Sequence, residues 1–180
     1  RFDAHKGGDL VIQAFAKLVA LEPSATLLFA GPDRGFGTTS GDVVNINEMI
    51  NEYIPEHDRQ QISYLGLTSS KEVASLRKIS HITIMASRNE NFPYSVLESL
   101  ASAAPIIAAR VGGVVETFED ENSGIFFKGA DVDDLVQKML SLINDKNALV
   151  RISSNAYSRC ANTYSPAVIA DEAVNFYERC

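Results

Sequence analysis

Apolar residues along the chain follow two different spacings, which alternate from one segment to the next. Short apolar runs predict β-strands, and apolar residues three or four positions apart predict helices. The predicted strands are 26–30, 62–66, 81–86, 105–109 and 124–127. The predicted helices are 8–21, 43–54, 69–79, 93–103, 131–144, 147–163 and 166–179, with a short one at 113–118. This alternation predicts an α/β fold: a Rossmann-like, doubly wound parallel sheet with helices on both faces and extra carboxyl-terminal helices.

The junction between strand 81–86 and helix 93–103 carries the most chemical information. Pro93 fits the first helical position, because no backbone N–H is needed there and its fixed φ suits a helix. The amides of Tyr94 and Ser95 then lie free beyond the carboxyl end of the strand, where open α/β sheets bind ligands. Backbone donors at a helix start attract anions, so this junction is a predicted phosphate site.

Two glutamates flank the predicted phosphate site. Glu90 precedes it, and Glu98 lies one turn inside the helix at the edge of its apolar arc, where we expect it to be only partly solvated. A phosphate repels a nearby carboxylate, which is better suited to accept hydrogen bonds from hydroxyl groups. Phosphate beside hydroxyls suggests a nucleotide sugar. The spacing alone leaves another interpretation open, in which Glu98 is an ordinary acid favoured by the helix dipole and Glu90 is a loop acid.

The opening residues supply two cations. Arg1 and Lys6 bracket a loop that leads into helix 8–21. Two positive charges there could neutralise a diphosphate.

These two segments resemble the retaining, nucleotide-sugar-dependent glycosyltransferases of the family-4 type, which have the GT-B fold. In that family an arginine and a lysine of a G-R-x-x-x-x-K-G segment hold the donor phosphates, and an E-x7-E motif holds the sugar and the ribose. Arg1 and Lys6 match the first segment, and Glu90 and Glu98 match the second.

The resemblance extends along nearly the whole chain. Four further segments are similar to family motifs: 27–31, 62–66, 98–108 and 111–116. The chain departs from the family where Asn91-Phe92-Pro93 replaces a frequent G-F-G, which bears on the shape of the sugar pocket. It also has Ala103 at a position where glycine is frequent.

The resemblance implies a role for each matching residue. The implied catalytic residues are Arg1, Lys6 and Glu90. The implied donor-binding residues are Asn91, Phe92, Pro93, Tyr94, Ser95 and Glu98, with Gly31, Leu65, Gly66 and Leu67 near the base. The donor is a nucleoside diphosphate sugar, and neither a metal nor another cofactor is expected.

The resemblance also implies that the chain is one half of a GT-B enzyme. Arg1 stands abruptly at what reads as the end of a strand, so we expect residues 1–180 to be a single donor-binding domain and a fragment, inactive alone. The amino-terminal acceptor domain would be missing. The expected acceptor is a glycan or a lipid, as in polysaccharide biosynthesis, and any peripheral membrane contact would involve only the missing domain.

Composition limits the remaining possibilities. With 180 residues, 46% hydrophobic and 22% charged, the chain is long enough for one packed domain and too short for two. A net charge of −7 disfavours nucleic-acid binding, which needs a basic face. No apolar run approaches the ~20 residues of a membrane span and no signal-peptide pattern opens the chain, so a cytoplasmic protein is expected.

Other candidate sites favour structural interpretations. The three histidines are too scattered to predict a metal cluster, and Cys160 and Cys180 have no metal or redox spacing. Asp131, Asp133 and Asp134 directly precede a helical pattern, which helix capping explains better than metal binding does.

Two other functional classes stay open. One is a nucleotide-sugar epimerase of similar fold, for which a different set of histidine and carboxylates would be expected. The other is a non-catalytic nucleotide-binding or regulatory module of the doubly wound class.

Overall fold

The computed structural model describes residues 1–37 and 41–179. The helices are α1 (Gly8–Leu21), α2 (Ile46–Tyr53), α3 (Ser70–Ile79), α4 (Tyr94–Ala101), α5 (Val132–Ile143), α6 (Lys146–Thr163) and α7 (Pro166–Tyr177). The strands are β1 (Leu27–Ala30), β2 (Phe36–Gly37), β3 (Val43–Val44), β4 (Ile62–Gly66), β5 (Thr83–Met85), β6 (Ile106–Ala109) and β7 (Ile125–Phe127). Two 3-10 helices cover Glu56–Gln61 and Gly112–Glu116.

The parallel strands form two blocks. β1 pairs with β4, and β6 lies between β5 and β7 with Ile107 opposite both Ile84 and Ile125. A doubly wound sheet has the strand order 3-2-1-4-5-6. The two blocks correspond to positions 3-2 and 4-5-6, and among the described residues no strand stands at position 1.

Helices cover both faces of this arrangement, as the sequence predicts. Ile107 and Ala109 pack with residues of α1, α2 and α5, whereas Ile106 and Ala108 pack with residues of α4 and α6. Successive residues of a strand point to opposite faces of the sheet, so these contacts show that β6 is buried on both faces. The predicted class, a Rossmann-like fold with helices on both faces of parallel strands, is confirmed.

Polar caps determine where several helices begin. Asn45 and Ser69 form capping boxes at the starts of α2 and α3. Asp131 accepts a hydrogen bond from the amide of Asp134 (3.1 Å) at the start of α5, as the capping interpretation predicts.

One predicted element is wrong at its start. The helix expected at 43–54 begins only at Ile46, because Asn45 caps it, and Val43–Val44 instead forms β3 in a hairpin with β2. Val43 and Val44 alone fit the spacing of a helix or of a strand, so the apolar pattern did not distinguish these two structures. Within the described ranges, no helix combines the length and the apolar character that a bilayer span requires.

Candidate functional site

The opening segment folds against the carboxyl end of β1. The Phe2 amide donates to the Pro32 carbonyl (2.9 Å), and the Arg34 amide donates to the Phe2 carbonyl (2.9 Å). The Phe2 side chain is fully buried beside the ring of Phe29. Arg1 and Lys6 are therefore fixed at the carboxyl ends of the strands, where open α/β sheets bind ligands.

Asp3 links the two cations. Its carboxylate forms an ion pair with Arg1 and accepts a hydrogen bond from the Lys6 amide (2.8 Å). Burial acts to raise the pKa of Asp3, but the Lys6 amide and the charge of Arg1 outweigh it and hold this pKa below its usual value. Arg1 thus contacts Asp3 rather than Glu90.

Gly7 brings Lys6 against the end of β5. It has a φ of +67°, and a Cβ atom there would lie 2.0 Å from the carbonyl oxygen of Ala86. Only glycine permits both this conformation and this close approach. From that position the Lys6 ammonium donates to Oε1 of Glu90, in an ion pair between residues 84 positions apart.

The environment of Glu90 favours its charged form. The Glu90 side chain is 12% exposed, and this partial burial acts to raise its pKa. Hydrogen bonds from Lys6 and Ser87, with the charges of Lys6 and His5, outweigh burial, so the pKa of Glu90 lies below its ordinary value. A carboxylate held ionised at neutral pH is a hydrogen-bond acceptor for hydroxyl groups.

The glycine pair Gly112-Gly113 supports the Glu90 loop from the other side. The Gly113 amide donates to the Glu90 carbonyl (3.0 Å), and a Cβ at Gly113 would lie 1.7 Å from the carbonyl oxygen of Asn91. Sequence reasoning identified this pair as part of a motif but assigned it no role. Its role here is to let two backbones approach closely.

Helix α4 begins one residue later than expected. Pro93 is the N-cap, with φ −78° and ψ 112°, and Tyr94 is the first helical residue. The Val96 amide donates to the Pro93 carbonyl (3.0 Å). Among the described residues the amides of Tyr94 and Ser95 have no acceptor, so both are free to donate.

The residues beside this helix start differ in exposure. The Phe92 ring packs edge to face on Tyr164, with centroids 5.9 Å apart. Asn91 is exposed and the Tyr94 side chain is 76% exposed, whereas Pro93 is buried. Buried Pro93 and the Phe92–Tyr164 contact therefore anchor a segment whose other side chains face solvent.

Glu98 is more exposed than the sequence suggested. Its side chain is 51% exposed, because it projects beside α3 rather than into the apolar arc of α4. Nη1 of Arg77 donates to Oε2 of Glu98 (2.9 Å), and the Arg77 side chain is only 12% exposed. Arg77, which sequence reasoning missed, fixes the direction of this carboxylate.

Two glycines, Gly31 after β1 and Gly66 at the end of β4, also lie at the carboxyl ends of the strands. The Gly31 amide donates to the Gly66 carbonyl (2.8 Å), and a Cβ at Gly31 would lie 2.4 Å from the backbone nitrogen of Arg1. Leu65 and Leu67 nearby are 42% and 86% exposed. Gly31, one of the residues expected near the base, is thus in contact with Arg1 and hydrogen-bonded to Gly66.

The depressions described on the surface lie away from the candidate site. Two shallow depressions, of about 170 Å³ beside α5 and α6 and about 300 Å³ on α7, contain none of the candidate site residues. The described part of the chain contains no group of three or more histidine, cysteine, aspartate or glutamate side chains that could hold a metal ion. Cys160 is a free, partly buried cysteine, and Cys180 lies outside the described residues.

The Lys6–Glu90 pair predicts a pH-dependent stability. The pKa of Glu90 is lower in the folded protein than in the unfolded chain, where a glutamate has a pKa of about 4.3. Ionised Glu90 therefore stabilises the fold fully above pH 4.3, and this contribution is lost as the pH falls through the folded pKa. Glu90→Gln is expected to lower the free energy of unfolding by about 1.5 kcal/mol at neutral pH, the scale of a hydrogen bond to a charged group. Urea denaturation from pH 7 to pH 3 should show the difference from wild type shrinking with falling pH.

The control for that measurement is Asp133→Asn. Asp133 pairs with Lys17 on the surface, with side chains 73% and 52% exposed, and an exposed pair contributes little. If the difference in free energy of unfolding between Glu90→Gln and wild type stayed constant from pH 7 to pH 3, the Lys6–Glu90 pair would not be its cause.

Known proteins resemble this chain over most of its length. The family described as "Glycosyl transferases group 1" matches residues 1–159. A D-inositol 3-phosphate glycosyltransferase of Corynebacterium kroppenstedtii is 31% identical over 117 residues, which cover 65% of this chain and 26% of the relative. The chain covers 26% to 32% of the length of three curated relatives that it matches.

Solved structures share the fold. HepE of Anabaena in complex with UDP-glucose matches all of this chain and 47% of its own, with a TM-score of 0.80 and 19% identity. The carboxyl-terminal domain of a glycosyl transferase group 1 family protein, LpcC of Francisella tularensis, has a TM-score of 0.73 and 22% identity, with 92% of this chain and 84% of that domain covered.

Proposed function

Since the chain belongs to the glycosyl transferases group 1 family, we propose that it binds the nucleoside diphosphate sugar donor of a retaining glycosyltransferase of the family-4 type. It is the carboxyl-terminal half of a GT-B enzyme whose acceptor domain is a separate part of the polypeptide. Two findings support this division: the match to 84% of a carboxyl-terminal domain, and the coverage of less than half of the curated relatives, 26% to 43% of their length.

The observation that carries the proposal is the meeting of Lys6 and Glu90 beside the start of α4. Without ligand their charges neutralise each other. A donor phosphate takes over the Lys6 ammonium and the free amides of Tyr94 and Ser95. Glu90, released from Lys6, then accepts hydrogen bonds from the donor sugar. The UDP-glucose in the complex of HepE supports a ligand with both groups.

Each remaining residue has a role in this proposal. Arg1, Lys6 and the two amides stabilise the negative charge that develops on the departing diphosphate, so the reaction needs no divalent metal. Glu90 orients the anomeric carbon by holding sugar hydroxyls, and Glu98 binds the ribose. The base lies near Gly31 and Gly66. Neither glutamate is a covalent nucleophile, because that role requires a carboxylate against the anomeric carbon and the family resemblance places both glutamates elsewhere.

The parent enzyme transfers the sugar to a glycan or a lipid acceptor held by its other domain. Residues 1–180 bind the donor but do not transfer it alone, since the acceptor site is elsewhere. Any membrane contact involves that other domain.

Nucleotide binding by the 180-residue chain tests the proposal. We expect UDP, GDP or ADP at millimolar concentration to raise the thermal unfolding midpoint, because a ligand at 100 times its Kd stabilises by about 2.7 kcal/mol. Uridine, guanosine and adenosine should raise it much less, since they lack the diphosphate that Lys6 and the α4 amides bind. The shift would be measured by differential scanning fluorimetry and the affinity by calorimetry.

Variants make this experiment specific. Lys6→Ala should remove most of the diphosphate-dependent shift, whereas Lys17→Ala should keep it, because Lys17 pairs with Asp133 away from this edge. Equal shifts with a nucleoside and its diphosphate, or no shift with any of the three diphosphates, would contradict donor binding.

A further inference from the structure

Arg88 lies between the end of β5 and Glu90 and forms a bidentate ion pair with the first turn of α1. Its guanidinium donates to both carboxylate oxygens of Asp9, at 2.9 and 2.6 Å. Asp9 is only 4% exposed. A buried carboxylate needs a matched partner, and the planar guanidinium supplies two parallel donors. This pair raises the pKa of Arg88 above its usual value, mainly through the Asp9 hydrogen bonds.

Arg88 also holds the residues that come immediately before Lys6. Its backbone amide donates to the His5 carbonyl (2.9 Å), and its guanidinium donates to the Ala4 carbonyl (2.5 Å). The Lys6 loop is thus tied to one residue on both sides, through Ala4 and His5 before it and Asp9 after it.

The hairpin strand β2 is joined to the same guanidinium. The Arg88 guanidinium carbon lies 5.7 Å from the centroid of the Phe36 ring, within the range of a cation–π contact. Arg88 therefore connects the Lys6 loop, α1 and the hairpin to the segment that carries Glu90 two residues later.

We infer that Arg88 is a positioning residue, which sets the separation of Lys6 and Glu90 by clamping the loop of the first to the segment of the second. Its effect on donor binding rests on the proposed function, whereas its effect on the Lys6–Glu90 contact does not. The geometry distinguishes this role from that of an ordinary ion pair, because four of the Arg88 contacts are with residues within three positions of Lys6.

The pKa of the Glu90 carboxyl group depends on how close Lys6 lies to it, so its titration reports the separation of these two residues. The groups that act on Glu90 are Lys6 and His5 through their charges and Lys6 and Ser87 through hydrogen bonds. If Arg88 holds Lys6 in place, then Arg88→Gln should raise the pKa of Glu90 towards its ordinary value, as followed by NMR of its carboxyl carbon in the 180-residue chain. Arg88→Lys should give a smaller change, since lysine keeps the charge but loses the bidentate geometry.

Arg110→Gln is the matched control. Arg110 also pairs with an aspartate, Asp120 (3.1 Å), and also lies over a ring, that of Phe126 at 5.2 Å, but it follows β6. We expect this variant to leave the Glu90 titration unchanged. An unchanged Glu90 titration in folded Arg88→Gln would overturn the inference.

Two additions keep the test decisive. Arg88→Gln leaves the Asp9 carboxylate unpaired and could fail to fold. In that case the double variant Asp9→Asn with Arg88→Gln, which removes that charge, is titrated instead. A raised pKa of Glu90 would support the inference, and an unchanged one would overturn it. UDP affinity should fall at least about tenfold in Arg88→Gln and remain within about twofold of wild type in Arg110→Gln. If wild type bound no nucleoside diphosphate, the proposed function would fail while the Glu90 titration still decided the role of Arg88.

Discussion

Replacing Lys6 by alanine is expected to lower sugar transfer by the full-length enzyme at least about 100-fold, the scale of losing one transition-state donor. Lys6 is in direct contact with Glu90, which precedes the first residue of α4 by four positions. Its ammonium would stabilise the diphosphate as the bond to the sugar breaks. Initial rates with saturating acceptor, measured over a range of donor concentrations, give kcat and kcat/KM for the comparison.

The design of that experiment separates chemistry from folding. Lys17→Ala removes another ion-paired lysine on the same polypeptide and should leave both constants near wild type. Arg1→Ala should lose activity on the same scale as Lys6→Ala, because the two cations are joined through Asp3. Unchanged turnover in both Arg1→Ala and Lys6→Ala, with circular dichroism showing intact folds, would reject the phosphate-binding assignment.

The largest expected loss of stability follows substitution at Gly7. Gly7→Ala should lower the free energy of unfolding by about 3 kcal/mol, since the left-handed conformation costs a Cβ-bearing residue roughly 1–2 kcal/mol and a buried backbone contact adds to it. The added Cβ would lie 2.0 Å from the Ala86 carbonyl oxygen, which can move only if the end of β5 moves. Urea denaturation of the 180-residue chain measures the effect.

Gly66→Ala isolates the conformational part of this loss. Gly66 has a φ of +63°, close to that of Gly7, but a Cβ there meets nothing within 4 Å. Its substitution should therefore cost only about 1–2 kcal/mol. Equal losses in the two variants would show that the contact between Gly7 and Ala86 contributes nothing.

Local patterns predicted most of the elements, and the reasons are visible in particular residues. Helix 8–21 was predicted with the boundaries that α1 has, because Ile12, Phe15 and Val19 recur at helical spacing and are all buried. The hairpin at β2 and β3 was not predicted, because two valines carry no period and the polar cap at Asn45 decides where α2 starts.

The contacts that build the site could not be read from local pattern. Lys6 and Glu90 are 84 positions apart, Asp9 and Arg88 are 79 apart, and Arg77 and Glu98 are 21 apart. The family resemblance pointed to Lys6, Glu90 and Glu98 as ligand-binding residues, but it gave no information about the arginines that hold two of these segments. Such partners depend on which loops the sheet order brings together, and that order is a property of the whole fold.

The edges of the two blocks of parallel strands bear on how the chain is expected to behave in solution. β1 and β5 each have, among the described residues, a strand partner on one side only. Unpaired N–H and C=O groups along a strand are a template for pairing with another molecule, which leads to aggregation. The strands are short, four and three residues, and this limits the length of any such template. We therefore expect concentrated samples of these 180 residues to associate edge to edge through the backbone groups of these strands.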